Sequence, residues 1–148
     1  MKKGPRLSKK LKRQIKAALS IVDKVTKLKK KNGRKIKLSE LQVVGHSLGG
    51  YLTQIVTVKK KVKRGVAFNP PGAGGYLKGV KKVRNLAVHS RQSDIVGRFG
   101  RHVGKMYLYR DVKFKWKSFK KNWILLNHGS KSFSKDLRKG MRPKKRIQ

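Results

Sequence analysis

The chain has 148 residues, of which 43 are Lys or Arg and only 5 are Asp or Glu, so its formal net charge is +38. This length allows one domain with a modest core. The absence of cysteine excludes disulfides and thiolate metal sites. The charge predicts an anionic partner, which would be nucleic acid, an anionic membrane or an acidic protein within a larger assembly. The alternative is a basic enzyme whose lysines are merely solvated.

The N-terminal region predicts a basic lead followed by a helix. Residues 1–7 are basic with no apolar stretch behind them, so we predict no signal peptide. No apolar run approaches membrane-spanning length, and we expect an intracellular or virion location. From residue 8 to about 31 the apolar residues follow helical spacing, with a stop near residues 32–33. We expect this helix to cover a sheet rather than to lie on a membrane. Its apolar positions are Leu11, Ile15, Ala18, Leu19, Val22 and Val25.

Four short apolar runs predict strands at residues 41–44, 65–68, 83–89 and 106–109. A helical run with Tyr51, Leu52, Ile55 and Val56 separates the first two, which is typical of a mostly parallel sheet flanked by helices. The predicted fold class is therefore α/β, with a polar loop at 90–104. We place the folded core at 8–140 and a disordered basic tail at 141–148.

The first predicted strand runs directly into Gly-His-Ser-Leu-Gly at residues 45–49, which matches G-x-S-x-G between a strand and a helix. In such an elbow the serine, here Ser47, sits on a strained turn, so its flanking positions have room for almost no side chain. The helix that follows places the N–H of Leu48 where an oxyanion would form. This context makes the motif specific.

At this motif the chain resembles the class 3, or fungal-type, lipase family of α/β-hydrolases, over roughly residues 10–140. The resemblance rests on Val-Val-Gly-His-Ser-Leu-Gly-Gly at 43–50, Val-Ala-Phe-Asn-Pro-Pro-Gly at 66–72, Ser-Asp-Ile-Val at 93–96, Gly-Arg-His-Val-Gly-Lys-Met-Tyr at 100–107 and Asn-His-Gly at 127–129. It implies a minimal α/β-hydrolase core. It also implies Ser47 as nucleophile, His128 as general base and Asp94 as the acid that orients it, with no metal or cofactor.

The chemistry of these three side chains fits such roles. Imidazole titrates near neutrality, so it can take the serine proton and return it to a leaving group. A carboxylate fixes the imidazole tautomer and stabilises the imidazolium, and the order Ser, Asp, His is the one this fold uses. Of the other histidines, we expect His46 to be packed and His89 to end a strand, and His102 is the second candidate for the base. The alternative for Ser47 is a turn retained only because the fold needs it.

Two features depart from the family. Only about forty residues precede the elbow, and none resembles the family's strand and loop that donate the second oxyanion hydrogen bond, or its lid. Loss of one such donor lowers the rate by about 10²–10³. In addition, the segment 113–123 alternates lysines with aromatic residues. Its aromatics either cover the small core, or stack on nucleic-acid bases or lie at the level of lipid headgroups.

Two functions therefore follow from the sequence. The first is a polyanion-associated structural component, such as a minor virion (capsid) protein near genome or membrane. The alternative is an active serine esterase or lipase, a carboxylic ester hydrolase held at an anionic lipid surface. No motif for sequence-specific nucleic-acid binding is present. The residues predicted to contact polyanions are Lys9, Lys10, Lys12, Arg13, Lys29, Lys30, Lys31, Lys144, Lys145 and Arg146.

Overall fold

The structure, a computed structural model, describes residues 7–110, 128, 138 and 145–147. Residues 145–147 are described through their backbone alone. The segment 113–123, for whose aromatic residues two roles were predicted, lies outside the described residues. The elements are α1 (Lys9–Lys27), β1 (Gln42–His46), α2 (Leu48–Lys60), β2 (Arg64–Phe68), β3 (Leu86–Arg91), β4 (Lys105–Tyr109) and β5 (Lys145–Ile147), with short 3₁₀ turns at Leu38–Glu40 and Ala73–Gly75.

The strands form one sheet in the order β1-β2-β3-β4-β5. The first four strands are parallel, and β5 pairs antiparallel with β4. This confirms the predicted α/β class with a mostly parallel sheet. Helix α2 connects β1 to β2, whereas loops without an α-helix connect β2 to β3 and β3 to β4.

Both described helices cover the same face of the sheet. Ala67, Leu86 and Val88 project from that face and are fully buried, in one cluster with Ile15 of α1 and Ile55 of α2. Because side chains alternate along a strand, the residues between them point to the opposite face. No described α-helix lies on that opposite face.

Helix α1 begins as predicted and ends earlier. Ser8 caps it by accepting a hydrogen bond from Leu11 N–H at 3.1 Å, and Ile15 and Val22 are buried beneath it. The predicted end near residue 31 is wrong, because the helix stops at Lys27. Gly33, at φ +77°, instead makes the turn of a small antiparallel bridge between residues 29 and 35.

Two other boundaries differ from the prediction. Strand β3 begins at Leu86 rather than at residue 83, because Val83 N–H donates to Val103 C=O at 2.7 Å in a contact between loops. The tail was expected to be disordered, yet Lys145–Ile147 forms β5 against β4. The unpaired N–H and C=O groups of an edge strand accept such an extended segment regardless of its charge.

The loops after β2 and β3 are tied to each other at the carboxyl edge of the sheet. Gly72 N–H donates to Phe99 C=O at 2.6 Å, and Gly74 N–H donates to Arg101 C=O at 2.7 Å. The Arg101 guanidinium adds hydrogen bonds to the carbonyls of Gly74 and Val80. The two loops therefore form one unit above the strand ends.

Candidate active site

Ser47 lies at the sharp turn between β1 and α2. Its backbone angles are φ 53° and ψ −121°, outside the regions that residues with a Cβ ordinarily adopt. Such a conformation costs about 1–3 kcal/mol and persists only where the surroundings hold it. Here Ser47 N–H donates to Phe68 C=O of β2 at 2.9 Å, and Ser47 C=O accepts from Tyr51 N–H at 3.0 Å.

The glycines around the elbow have different roles. A Cβ on Gly45 would lie 2.3 Å from the carbonyl carbon and oxygen of Gly49, so position 45 admits no side chain. A Cβ on Gly49 would meet nothing within 4 Å, so the expectation that both motif glycines are sterically required is wrong for Gly49. Gly50 is the second crowded position, because its Cβ would lie 2.9 Å from that of Pro70.

The structure brings the three predicted site residues together in one line. Ser47 Oγ lies 2.8 Å from His128 Nε2, and His128 Nδ1 lies 3.0 Å from Asp94 Oδ1. Both distances suit a neutral imidazole that accepts from the serine hydroxyl and donates to the carboxylate. These residues are 34 to 81 positions apart in the sequence, so the contacts depend on the tertiary fold.

Asp94 is held from both sides in the loop after β3. Its side chain is fully buried. Oδ1 accepts from Val96 N–H at 3.2 Å, and Oδ2 accepts from Gly97 N–H at 2.9 Å. A buried carboxylate is stable only when its oxygens are hydrogen-bonded. The loop amides therefore fix the direction in which Asp94 meets His128.

The backbone of His128 has its own support, which sequence reasoning missed. His46 Nε2 donates to the carbonyl oxygen of His128, and Asn69 Nδ2 donates to the same oxygen at 3.0 Å. The rings of His46 and His128 also contact each other, with centroids 5.0 Å apart. His46 was expected to be merely packed, whereas it is a hydrogen-bond donor that positions His128.

Asn69 links three parts of the site. It is fully buried at the end of β2, with φ 43°. Its own N–H donates to His89 C=O at 2.7 Å, and its Oδ1 accepts from Arg91 N–H at 3.0 Å. Asn tolerates a positive φ better than most residues and carries both a donor and an acceptor. An Asn directly before Pro-Pro at the end of a buried strand was the signal in the sequence.

The other two histidines do not reach Ser47. His102, the second candidate for the base, contacts Gly97 C=O through Nε2 at 2.7 Å, and burial lowers its pKa. His89 lies within β3 with its ring stacked on those of Phe68 and Tyr107. Burial and the charge of Arg64 lower the pKa of His89 to about 4. Among the four histidines, His128 is therefore the one whose ring nitrogen forms a hydrogen bond with Ser47 Oγ.

The mouth of the site combines one free amide with apolar side chains. The N–H of Leu48, the first of α2, has no acceptor among the described residues. A helix N-terminus favours negative charge at that point. Leu48 follows Ser47 and is 41% exposed, and Ile95 follows Asp94 and is 58% exposed. An apolar rim is therefore present beside both residues.

The predicted polyanion contacts do not form one site. Lys9, Lys10, Lys12 and Arg13 are exposed on the first turns of α1, and Lys29, Lys30 and Lys31 are exposed beyond its last turn. The part of α1 from Arg13 to Lys27 separates the two groups by about 21 Å. Lys30 is already paired with Glu40 at 2.8 Å. Lys144 lies outside the described residues, and Lys145 and Arg146 are described through their backbone alone.

Comparison with known proteins finds no protein-family model that matches the chain and no curated protein significantly similar to it in sequence. In the described part of the chain, no group of three or more metal-binding side chains is close enough to hold an ion. No described helix is both long and apolar enough to cross a bilayer. The geometry of Ser47, His128 and Asp94 is thus the main evidence for a function.

Proposed function

We propose that the protein is a serine hydrolase that cleaves carboxylic esters, with Ser47 as nucleophile, His128 as general base and Asp94 as the orienting acid. The observation that carries this proposal is the continuous hydrogen-bonded line from Ser47 Oγ through the imidazole to the buried carboxylate. The strained backbone of Ser47 supports it, because strain of this kind clusters where function maintains it.

The first half of the reaction forms an acyl-enzyme. Ser47 Oγ attacks the ester carbonyl carbon while its proton passes to His128 Nε2, 2.8 Å away. The carbonyl oxygen becomes an oxyanion that accepts a hydrogen bond from Leu48 N–H. As the oxyanion collapses, the C–O bond to the alcohol breaks, and His128 Nε2–H gives its proton to the leaving alkoxide.

The second half repeats these steps with water. His128 Nε2 takes a proton from a water molecule, and the resulting hydroxide oxygen attacks the acyl carbon of the Ser47 ester. The bond from the acyl carbon to Ser47 Oγ then breaks, Oγ recovers the proton from Nε2, and a carboxylic acid leaves. Throughout, Asp94 stabilises the imidazolium through the bond at Nδ1.

We propose further that the sheet and elbow are a shortened α/β-hydrolase core of the class 3 lipase kind. The support is the order β1, elbow, α2, β2, with the acid after β3 at the carboxyl edge of a parallel sheet. Strand β1 pairs only with β2 among the described strands. Because no described strand flanks β1 on its other edge, we expect one oxyanion donor and a turnover lower than that of a site with two.

The apolar rim favours esters of apolar acids. Leu48 and Ile95 directly follow the nucleophile and the acid, and both are exposed. Phe99, four residues after Ile95 in the same loop, is 67% exposed. Burial of apolar surface against an acyl chain contributes about 0.8 kcal/mol for each methylene group. We therefore expect activity to rise with acyl length.

Labelling with a fluorophosphonate probe tests the proposal. The folded wild-type protein should react once per chain and Ser47→Ala should not react, whereas Ser20→Ala, on the exposed surface of α1, should react as the wild type does. His128→Ala should label at least a hundredfold more slowly. Absence of labelling in folded wild-type protein, or labelling that persists in Ser47→Ala, would refute the hydrolase proposal.

A second candidate function is association with polyanions, including a place in a virus particle near genome or membrane. The net charge of +38 and the exposed cations at the start of α1 favour it. It is tested by the salt dependence of binding to duplex DNA and to anionic vesicles. Replacing Lys9, Lys10, Lys12 and Arg13 with Gln should reduce the slope of log K against log salt. An unchanged slope would exclude this surface as the contact.

A further inference from the structure

A concave site separate from Ser47 lies at the opposite ends of the sheet strands. It is a cavity of about 500 Å³ at the amino ends of β1 to β4, within the size range of small-molecule sites. Its lining residues are Gln42, Lys63, Arg64, Arg84, Asn85, Leu86, Ala87, Lys105 and Tyr107. Ser47 lies five positions after Gln42 along an extended strand, which is a distance of about 16 Å. The cavity is thus distinct from the proposed active site.

The sheet register explains why the lining side chains meet. Gln42 is paired with Arg64, and Ala87 is paired with Lys105. Paired residues of neighbouring strands point to the same face, so these four share the face that no described helix covers. Lys63 lies one residue before β2 and Arg84 lies two residues before β3, and both line the cavity.

Four of the lining residues are cations, and the described acids are engaged elsewhere. Asp23 pairs with Lys60, Glu40 pairs with Lys30 and Arg34, and Asp94 binds His128. The two remaining acids, Asp111 and Asp136, lie outside the described residues. Within the described residues, no carboxylate therefore neutralises Lys63, Arg64, Arg84 or Lys105.

The lining also supplies neutral polar groups, and the charge of one of its arginines affects a neighbouring histidine. Gln42, Asn85 and Tyr107 add side chains that can donate hydrogen bonds. The positive charge of Arg64 contributes to the lowered pKa of His89, two residues along β3 from Ala87. Like charges gathered in a recess destabilise one another, and a bound anion with several charges removes that repulsion.

We propose that this cavity binds a small ligand that carries a di- or triphosphate group. Two arginines provide planar forks suited to phosphate oxygens, and two lysines provide point charges. The cavity volume fits one small molecule rather than the continuous backbone of a nucleic acid. The site does not depend on the proposed hydrolase function, because it lies at the other end of the same strands.

Calorimetric titration with inorganic tripolyphosphate tests this proposal. At an ionic strength near 0.15 M, where the Debye length is about 8 Å, distant lysines contribute little. The wild type should bind one equivalent, and Arg64→Gln/Arg84→Gln should bind roughly tenfold more weakly or worse. The matched control Lys16→Gln/Lys24→Gln removes the same charge from exposed positions of α1 and should bind within about twofold of wild type.

Further arms separate this site from the other surfaces. Ser47→Ala should bind tripolyphosphate as the wild type does, whatever its effect on hydrolysis. If Arg64→Gln/Arg84→Gln does not fold, Lys63→Gln/Arg84→Gln, both at exposed positions, takes its place. Equal weakening in the pocket and control variants would overturn the proposal. So would pocket variants that lose binding to phosphatidylcholine–phosphatidylserine vesicles while they retain tripolyphosphate.

Discussion

Asn69 donates its side-chain Nδ2 to the main-chain carbonyl of His128 at 3.0 Å. The same carbonyl accepts from His46, the residue directly before Ser47. The backbone of the proposed base is therefore anchored to the ends of β1 and β2, while its ring is held between Ser47 and Asp94. Alignment of the imidazole depends on both sets of bonds.

His46 should influence the rate of the reaction without contacting substrate. We expect His46→Leu to lower kcat roughly ten- to hundredfold with little change in KM, because a small displacement of the base disturbs proton transfer. His46→Gln, which retains a donor of similar reach, should recover most of the rate. Ester hydrolysis followed over a range of substrate concentration measures both constants. Equal rates for the Leu and Gln variants would show that the hydrogen bond is not involved.

Asp94→Asn should be far more damaging than its size suggests. The Asn side chain retains one acceptor oxygen, whereas Asp94 accepts from Val96, Gly97 and His128 through two oxygens. The amide either turns its NH₂ toward His128 and selects the wrong tautomer or opposes the Gly97 N–H. We expect kcat/KM to fall by about 10³–10⁴. A thermal melt of the same variant separates this effect from unfolding, and a loss below tenfold would contradict the assigned role.

The two glycines of the elbow motif should respond oppositely to alanine. Gly45→Ala forces a Cβ to within 2.3 Å of the Gly49 carbonyl, so we expect a loss of several kcal/mol or failure to fold. Gly49→Ala places its Cβ in open space on the first turn of α2 and should be neutral or stabilising, by up to about 1 kcal/mol. Urea denaturation measures both. Comparable destabilisation by the two substitutions would contradict the geometry of the turn.

His89 should make the fold sensitive to mild acid. Its pKa is about 4 in the folded protein, because of burial and the nearby Arg64, against an ordinary 6.5 when unfolded. The folded state therefore resists protonation, so stability from neutral His89 is complete above pH 6.5 and falls as the pH drops toward 4. We expect the free energy of unfolding to lose roughly 2–3 kcal/mol more between pH 7 and pH 4 than in His89→Gln. Parallel pH profiles for the two proteins would refute this.

Local patterns in the sequence predicted much of the fold. The elbow, α2 and three of the parallel strands lie where hydrophobic spacing and the G-x-S-x-G context placed them, within about two residues. These elements depend on neighbours along the chain. The earlier end of α1 and the later start of β3 depend instead on contacts between loops, such as Val83 with Val103. Spacing alone carries no information on such contacts.

In the candidate site, too, local motifs predicted some features, whereas others depend on long-range contacts. Ser47, Asp94 and His128 were named from motifs, and the structure brings them into contact. The support of His128 by His46 and Asn69 was missed, because it joins a backbone carbonyl to side chains 82 and 59 residues away. The cavity at the amino edge was missed for a related reason, since its cations are brought together by strand register rather than by a motif.

The backbone of Ser47 sets stability against activity in this protein. A residue with a Cβ at φ 53° and ψ −121° is strained, and glycine is the one residue type that adopts such angles without that penalty. Ser47→Gly should therefore raise the free energy of unfolding and give a protein that can no longer form an acyl-enzyme. If the turn served only the architecture of the sheet, glycine would serve it better. A serine at this position is therefore best explained by a need for its hydroxyl in the reaction, at the expense of some stability of the fold.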